Sequence, residues 1–364
     1  MENLTEIWPG ELEAKLRKMT VEFNNGLSSI LFLSNSIKGM QNLEVLEVKD
    51  CRSIGVAFDL KGLVWEGILD MALPSLKNVK LSCLPKLTHV WKDNSPGIQG
   101  FQNLRSLVVN ECNSLRNLFS YSLAKFLVKL QEIEVNDCGM IESIIGNEPN
   151  ADDAVITNMI MFPQLSSLKL GDLPNLRSFC SETCTFEGSL LKTIKVINCP
   201  KMKILPSVFQ RKLDQQRADF STSSQHHLLD GKDKLATIEE LTISGMENLT
   251  EIWPGELEAK LRKMTVEFNN GLSSILFPSN SIKGMQNLEV LEVKDCRSIG
   301  VAFDLKGLVW EGILDMALPS LKNVKLSCLP KLTHVWKDNS PGIQGFQNLR
   351  SLVVNECNSL RNLF

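Results

Sequence analysis

The feature that most constrains this chain is a spacing. Residues Leu104–Phe119 read LRSLVVNECNSLRNLF, with apolar side chains at 104, 107, 109, 112, 115 and 118. Neither a helix nor a strand takes that series of intervals. The L-x-L step has period two, which is a strand with one buried face. The three-residue steps on either side are turns that return apolar side chains to the same interior. The pattern L-x-x-L-x-L-x-x-C-x-x-L-x-x-L recurs along the chain. It is met at Leu43, Leu46, Val48, Cys51 and Ile54, and at Leu130, Ile133, Val135, Cys138 and Ile141. It returns at Leu165, Leu168, Leu170, Leu173 and Leu176, and at Leu191, Ile194, Val196, Cys199 and Met202. One such unit cannot cover its own apolar face. Stacked units share a single interior, with parallel strands along one side and helical or 3₁₀ turns along the other.

That reading is a leucine-rich-repeat solenoid of the α/β kind. It predicts a horseshoe with a parallel β-sheet on the concave face and short helices, 3₁₀ turns and loops on the convex face. With the cysteine position as a ruler, unit centres lie 23 to 35 residues apart, with one gap of 47. Residues 1–364 therefore form one array of about 12–13 units. The long gaps carry insertions. Val56–Pro74 is expected to hold a short helix, Gly146–Asn158 an acidic loop, and 206–237 a polar insertion. Ser120–Leu130 reads as one or two helical turns with Leu123, Phe126 and Leu127 facing inward. Residues 246–364 repeat residues 1–119 at an offset of 245 with one difference, Leu33 against Pro278. The same surface is thus expected twice, bracketing a unique middle, Ser120–Gly245. The chain starts and stops inside the repeat pattern. Fraying or self-association of the terminal units follows as an expectation, which a clean monomer in size-exclusion chromatography would contradict.

Composition excludes several classes. Net charge is −3 with a pI near 5.9, which offers no basic footprint for nucleic acid. No run of eighteen apolar residues is present for a membrane span. The opening MENLTEIWPGELEAKLRK carries acids early and does not read as a signal peptide. Ten cysteines sit in no CxxC pair, which suits a reduced, cytoplasmic chain. Cys51, Cys112, Cys138, Cys199, Cys296 and Cys357 all fall on one repeat position and read as a structural ladder of buried thiols. A ladder is a row, whereas zinc needs four converging ligands, and Cys180 and Cys184 have no histidine nearby. The four histidines, His89, His226, His227 and His334, fit no triad. The expectation is a non-enzymatic chain with no catalytic, metal or cofactor-binding residue. Trp8, Trp91, Trp253 and Trp336 follow the last apolar step of a unit and should pack the outer turns.

What remains is the concave face, where residues alternating with the buried ones point outward. The candidate protein-binding residues are Glu47, Lys49, Lys80, Glu111, Glu132, Glu134, Asp137, Lys169, Lys195, Lys263, Glu267, Glu292 and Lys294. Among them Glu111, Glu132, Glu134 and Asp137 form an acidic cluster suited to a basic partner, although charge runs are most often solvated faces.

Four stretches go further: Cys112–Ile145, Met161–Cys180 (MFPQLSSLKLGDLPNLRSFC), Leu190–Pro206 (LLKTIKVINCPKMKILP) and Ala236–Leu257. Together they resemble the C-terminal leucine-rich-repeat region of plant coiled-coil nucleotide-binding (NBS-LRR) disease resistance proteins. The resemblance implies a protein-recognition module of plant innate immunity. Its partners would be a pathogen effector or host protein and the signalling domains of the full receptor, with no nucleic acid and no membrane. That family carries a coiled coil and a nucleotide-binding domain ahead of the repeats. This sequence has no G-x-x-x-x-G-K-[ST]; its one Gly-Lys, Gly231-Lys232, is followed by Asp233. Nucleotide binding is therefore not carried over, and the chain is not expected to signal alone. The alternative is a repeat-type substrate receptor or adaptor of a ubiquitin ligase, which an F-box-like helical segment would favour.

Overall fold

The computed structural model describes residues 7, 15–61, 72–92, 100–146, 158–180, 184–187, 190–202, 237–252, 260–306, 318–337 and 346–361. The polar insertion, most of the Val56–Pro74 and Gly146–Asn158 segments, Trp8 and Trp253 lie outside the described residues. Two compact units divide the chain, Met1–Leu191 and Lys192–Phe364.

Among the described residues, twelve five-residue strands stand on the L-x-L steps, all paired in parallel. The first unit carries Lys18–Glu22, Val45–Lys49, Asn78–Ser82, Ser106–Asn110, Glu132–Asn136 and Ser167–Gly171. The second carries Thr193–Ile197, Glu240–Ser244, Lys263–Glu267, Val290–Lys294, Asn323–Ser327 and Ser351–Asn355. Within each unit neighbours in sequence are neighbours in the ladder, and equivalent residues face each other: Leu46↔Val79↔Leu107↔Ile133↔Leu168. Those inward residues are 0–1 % exposed. Burying each stabilises by roughly 1.5–3 kcal/mol, but only once the next unit lies against it.

The three-residue steps prove to be i→i+3 turns. Leu104 N–H donates to Phe101 O before its strand, and Leu115 N–H to Cys112 O after it. The same pair of bonds brackets Val45–Lys49, from Leu43 to Met40 O and from Ile54 to Cys51 O. A backbone signature accompanies them. The residue after each of the twelve ladder strands has positive φ, from Phe23 (55°) to Glu356 (56°). Wherever a further rung follows within the same unit, its N–H reaches the last carbonyl of that rung, as Asp50 does to Ser82 O at 3.1 Å. At Gly245 (φ 64°) a Cβ would also meet Asn198 Oδ1, which the glycine leaves in place.

The side opposite the ladder holds short helices, Ser34–Lys38, Tyr121–Ala124 and Ser279–Lys283. It also holds short parallel strands that the sequence pattern did not foretell. Ile30–Phe32, Val56–Asp59 and His89–Lys92 pair in one small sheet, and Ile275–Phe277, Val301–Asp304 and His334–Lys337 in its duplicate. Val56–Asp59 begins the insertion read as helical, so that part of it is strand. Phe32, Phe58 and Trp91 stack face to face at 5.5 and 6.0 Å, and Trp91 continues onto Phe119 at 5.5 Å. Trp91 and Trp336 are 6 % and 1 % exposed and are packing residues. In the Tyr121–Ala124 region Leu123 and Leu127 are buried, whereas Phe126 is only half-buried.

The duplication supplies an internal control. Leu107 and Val109 are 0 % exposed, yet the identical Leu352 and Val354 are half-exposed. Ser106–Asn110 has a strand on each side, whereas Ser351–Asn355 has one. Burial is therefore conferred by the neighbour, not by the sequence. Leu107→Ala should cost about 2–5 kcal/mol, as a cavity in a closed core does, and Leu352→Ala much less. Urea unfolding of the two variants of the same chain measures the difference. The one natural difference gives a second expectation. Leu33 and Pro278 precede equivalent helices at φ −78° and −68°, and the small sheets keep the same register. Leu33→Pro should leave the fold unchanged and raise stability by about 0.4–1 kcal/mol, read as a higher urea midpoint.

Candidate functional site

The outward-facing residues form three rows along each unit's ladder. In the first unit the middle row runs Thr20, Glu47, Lys80, Val108, Glu134, Lys169. The row beside it runs Glu22, Lys49, Ser82, Asn110, Asn136, Gly171, and the remaining row carries Glu132 between Ser106 and Ser167. In the second unit Lys195 and Glu292 are in the middle row, Lys263 in the first, and Glu267 and Lys294 in the third.

These side chains are tied to one another across rungs. Lys169 Nζ lies 2.8 Å from Glu132 Oε1 and 3.2 Å from Glu134 Oε2. Ser106 Oγ donates to the other oxygen of Glu132 at 3.1 Å. The Lys169 ammonium holds the Glu132 carboxyl below the usual carboxylate range, against the opposing effect of burial. Asn136 Nδ2 donates to both Asn110 Oδ1 and Glu134 Oε1 at 3.1 Å. Lys18 Nζ meets Glu47 at 3.1 Å. The acidic cluster read from the sequence is thus divided. Glu132 and Glu134 are bridged by Lys169, while Glu111 and Asp137 occupy the left-handed positions at the end of their strands. One position further toward the strand start, a second line of charge alternates in sign. Glu44 lies between Arg17 (3.8 Å) and Lys77 (2.6 Å), and Glu289 between Arg262 and Lys322, both at 2.7 Å.

The ladder cysteines lie under this face. Cys51, Cys112, Cys138, Cys199 and Cys296 are 0 % exposed, and Cys357 is half-exposed. Each thiol turns back to a carbonyl two residues earlier, at 3.2–3.4 Å. Several also approach a carbonyl of the preceding rung, such as Cys51 Sγ to Val21 O at 3.9 Å. Where the position holds asparagine instead, the bonds are firmer. Buried Asn269 donates to Ile243 O at 3.1 Å and accepts from Met246 N at 2.8 Å, lacing two rungs together. Of Cys180 and Cys184 only the backbone strands are described, and among the described residues no group of His, Cys, Asp and Glu is placed to hold a metal ion.

Of the twelve residues in the left-handed position, sequence reading named only Glu111 and Asp137 as candidates for the binding face. Phe23 and Phe268 stand there 69 % and 50 % exposed, with Lys294 Nζ 5.8 Å from the Phe268 ring. Half of the twelve positions hold Asp, Asn or Gly, the types that accept positive φ most readily, and that was the available signal.

A parallel ladder on L-x-L steps, closed by turns and stacked through a shared interior, defines a leucine-rich-repeat protein. The plant disease resistance RPS2-like leucine-rich-repeat family matches residues 1–139, 127–216 and 237–364, and the chain belongs to that family. Among relatives from Arabidopsis thaliana, the probable disease resistance protein At4g27220 is 34 % identical over 137 residues, covering 37 % of this chain and 14 % of its own. Disease resistance protein RPP5 is 26 % identical over 315 residues, covering 75 % of this chain and 21 % of its own. The chain therefore spans about a fifth or less of the length of these relatives. A solved leucine-rich cell surface protein from Faecalibacterium prausnitzii aligns over 94 % of this chain and 88 % of its own, with 11 % identity and a TM-score of 0.26. Among the described residues no helix is long and apolar enough to cross a membrane.

Burial pushes the Cys296 thiol from its ordinary 9.0 up to about 11. A raised acid contributes stability in full below its unfolded value and loses it as pH climbs through the folded one. Stability should therefore fall between pH 9 and about 11, and Cys296→Ala should flatten that part of the profile. Chemical denaturation at stepped pH reads it. Asn269→Ala leaves a buried carbonyl and N–H unpaired and should cost about 1–3 kcal/mol at neutral pH.

Proposed function

We propose that the chain is the recognition part of a cytoplasmic resistance receptor of the coiled-coil nucleotide-binding kind. The outward face of its ladder binds a pathogen effector or a host protein, and the repeats restrain the receptor's signalling domains. It acts by binding and not by catalysis. The observation that carries the reading is the outward face of the first unit. There a mixed-charge surface is held on a backbone hydrogen-bonded rung to rung, and its own side chains are fixed by Lys169, Asn136 and Ser106. A surface ordered before it meets its partner loses little entropy on binding, and its charges select partners by complementarity. Membership of the resistance family supplies the biological setting.

The test is co-expression in leaf tissue with the coiled-coil and nucleotide-binding segment of a resistance receptor. The expected result is co-precipitation of the two and less cell death than the segment gives alone. Lys80→Glu with Lys169→Glu should weaken the association by about tenfold. Absence of co-precipitation, or association untouched by the charge reversals, overturns the reading.

A further inference from the structure

The left-handed positions place three chemically matched residues on consecutive rungs. Asp50 (φ 53°), Cys83 (φ 54°) and Glu111 (φ 54°) end the strands Val45–Lys49, Asn78–Ser82 and Ser106–Asn110. The duplication repeats the set as Asp295, Cys328 and Glu356, at φ 52°, 54° and 56°. Rungs are about 4.8 Å apart, so the two carboxylates flank one thiol. Cys328 Sγ donates to Glu356 Oε2 at 3.2 Å. Glu111 and Asp50 both act on the Cys83 thiol, whose pKa is raised by burial first and then by these charges. Directly before each thiol stands a serine. Ser82 and Ser327 are 7 % and 5 % exposed, and the Oγ of each is buried without a hydrogen-bond partner. Strand alternation puts both hydroxyls on the outward face, in the row with Lys49 and Asn110 and in the row with Lys294 and Asn355.

The set is rich in acceptors and poor in donors. A thiol has one proton and can serve one carboxylate at a time. Lys49 Nζ lies 3.8 Å from Asp50, and Lys294 Nζ 3.7 Å from Asp295, at the long limit of an ion pair. Among the described residues Glu111 and Glu356 form no salt bridge. A single ion is a poor fit, since no such group converges closely enough for a metal among the described residues. An ammonium or guanidinium is larger, carries only donors, and spans separated carboxylates. The geometry points to Asp50–Ser82–Cys83–Glu111 and its copy Asp295–Ser327–Cys328–Glu356 as two equivalent seats for a lysine or arginine side chain of a protein partner. The occupant is a protein side chain because the seats lie along the outward face that the preceding section reads as the binding surface, on which this inference rests. Sequence identity between the duplicated blocks makes the seats alike, so each takes the same basic side chain independently.

The thiols report occupancy. The probe is a blocked tetra-arginine peptide, with tetra-glutamate as its control, and the readout is alkylation of Cys83 and Cys328 by N-ethylmaleimide. Both lie in the tryptic sequence LSCLPK, Leu81–Lys86 and Leu326–Lys331, so mass spectrometry reads them together. At a peptide concentration about four times the half-saturating one, tetra-arginine should slow alkylation about fivefold by covering the thiols, and tetra-glutamate should not. Asp50→Asn, Glu111→Gln, Asp295→Asn and Glu356→Gln combined should abolish the slowing. Asparagine already occupies the left-handed position at Asn198, glutamine is isosteric with glutamate, and continued silence of the buried ladder cysteines reports an intact fold. No slowing in the parent chain, or slowing unchanged in the variant, overturns the proposal. Lost co-precipitation with intact slowing sinks the receptor reading alone, and the reverse result sinks this inference alone.

Discussion

Within each unit the carbonyl just before a strand accepts two N–H groups from the rung that follows it, and the left-handed residue just after the strand donates one more. Arg105 O, for example, takes Gln131 N at 2.7 Å and Glu132 N at 2.9 Å, while Glu111 N reaches Asn136 O at 3.1 Å. This clamp at both ends of a five-residue ladder sets the register, and the register decides which side chains go inside. A slip of one residue would send Leu107 and Val109 outward and Ser106 and Val108 inward. The interior, the aromatic stacks and the outward rows all inherit their order from it. Solenoid stability then accumulates interface by interface, and half-exposed Leu352 and Val354 show the cost of an interface not made.

The strands were legible because L-x-L is periodic and the ladder demands it. Leu43–Ile54 and Leu130–Ile141 fold as their spacing says. The small outer strands were not legible. Ile30–Phe32 and Val56–Asp59 are too short and too apolar to separate from a buried turn by pattern alone. They exist because stacking brings equivalent segments side by side, which is tertiary information. The same holds for the acidic cluster. Its residue types were plain, yet only the register reveals that Lys169, 35 and 37 residues from its partners, bridges two of the four carboxylates. Glu111 and Asp137 fall on the inward parity of their strands, and only the left-handed turn of the backbone there leaves them exposed.

The two kinds of rung fastening have different strengths. Asn269 lends a firm donor and acceptor to its neighbours, whereas the cysteines offer weak contacts and small volume. The cysteine rungs rely on packing and on the backbone clamp.

The doubled block also shapes how the chain reaches its native state. Residues 104–119 and 349–364 offer the unit at 120–145 the same docking surface, so two pairings compete. Only connectivity separates them. Seating against the adjacent segment closes a loop of a few tens of residues, and seating against the distant one closes a loop of some two hundred. Chain entropy favours the near choice by about 2 kcal/mol, a slim margin that a ribosome widens by delivering the first copy long before the second.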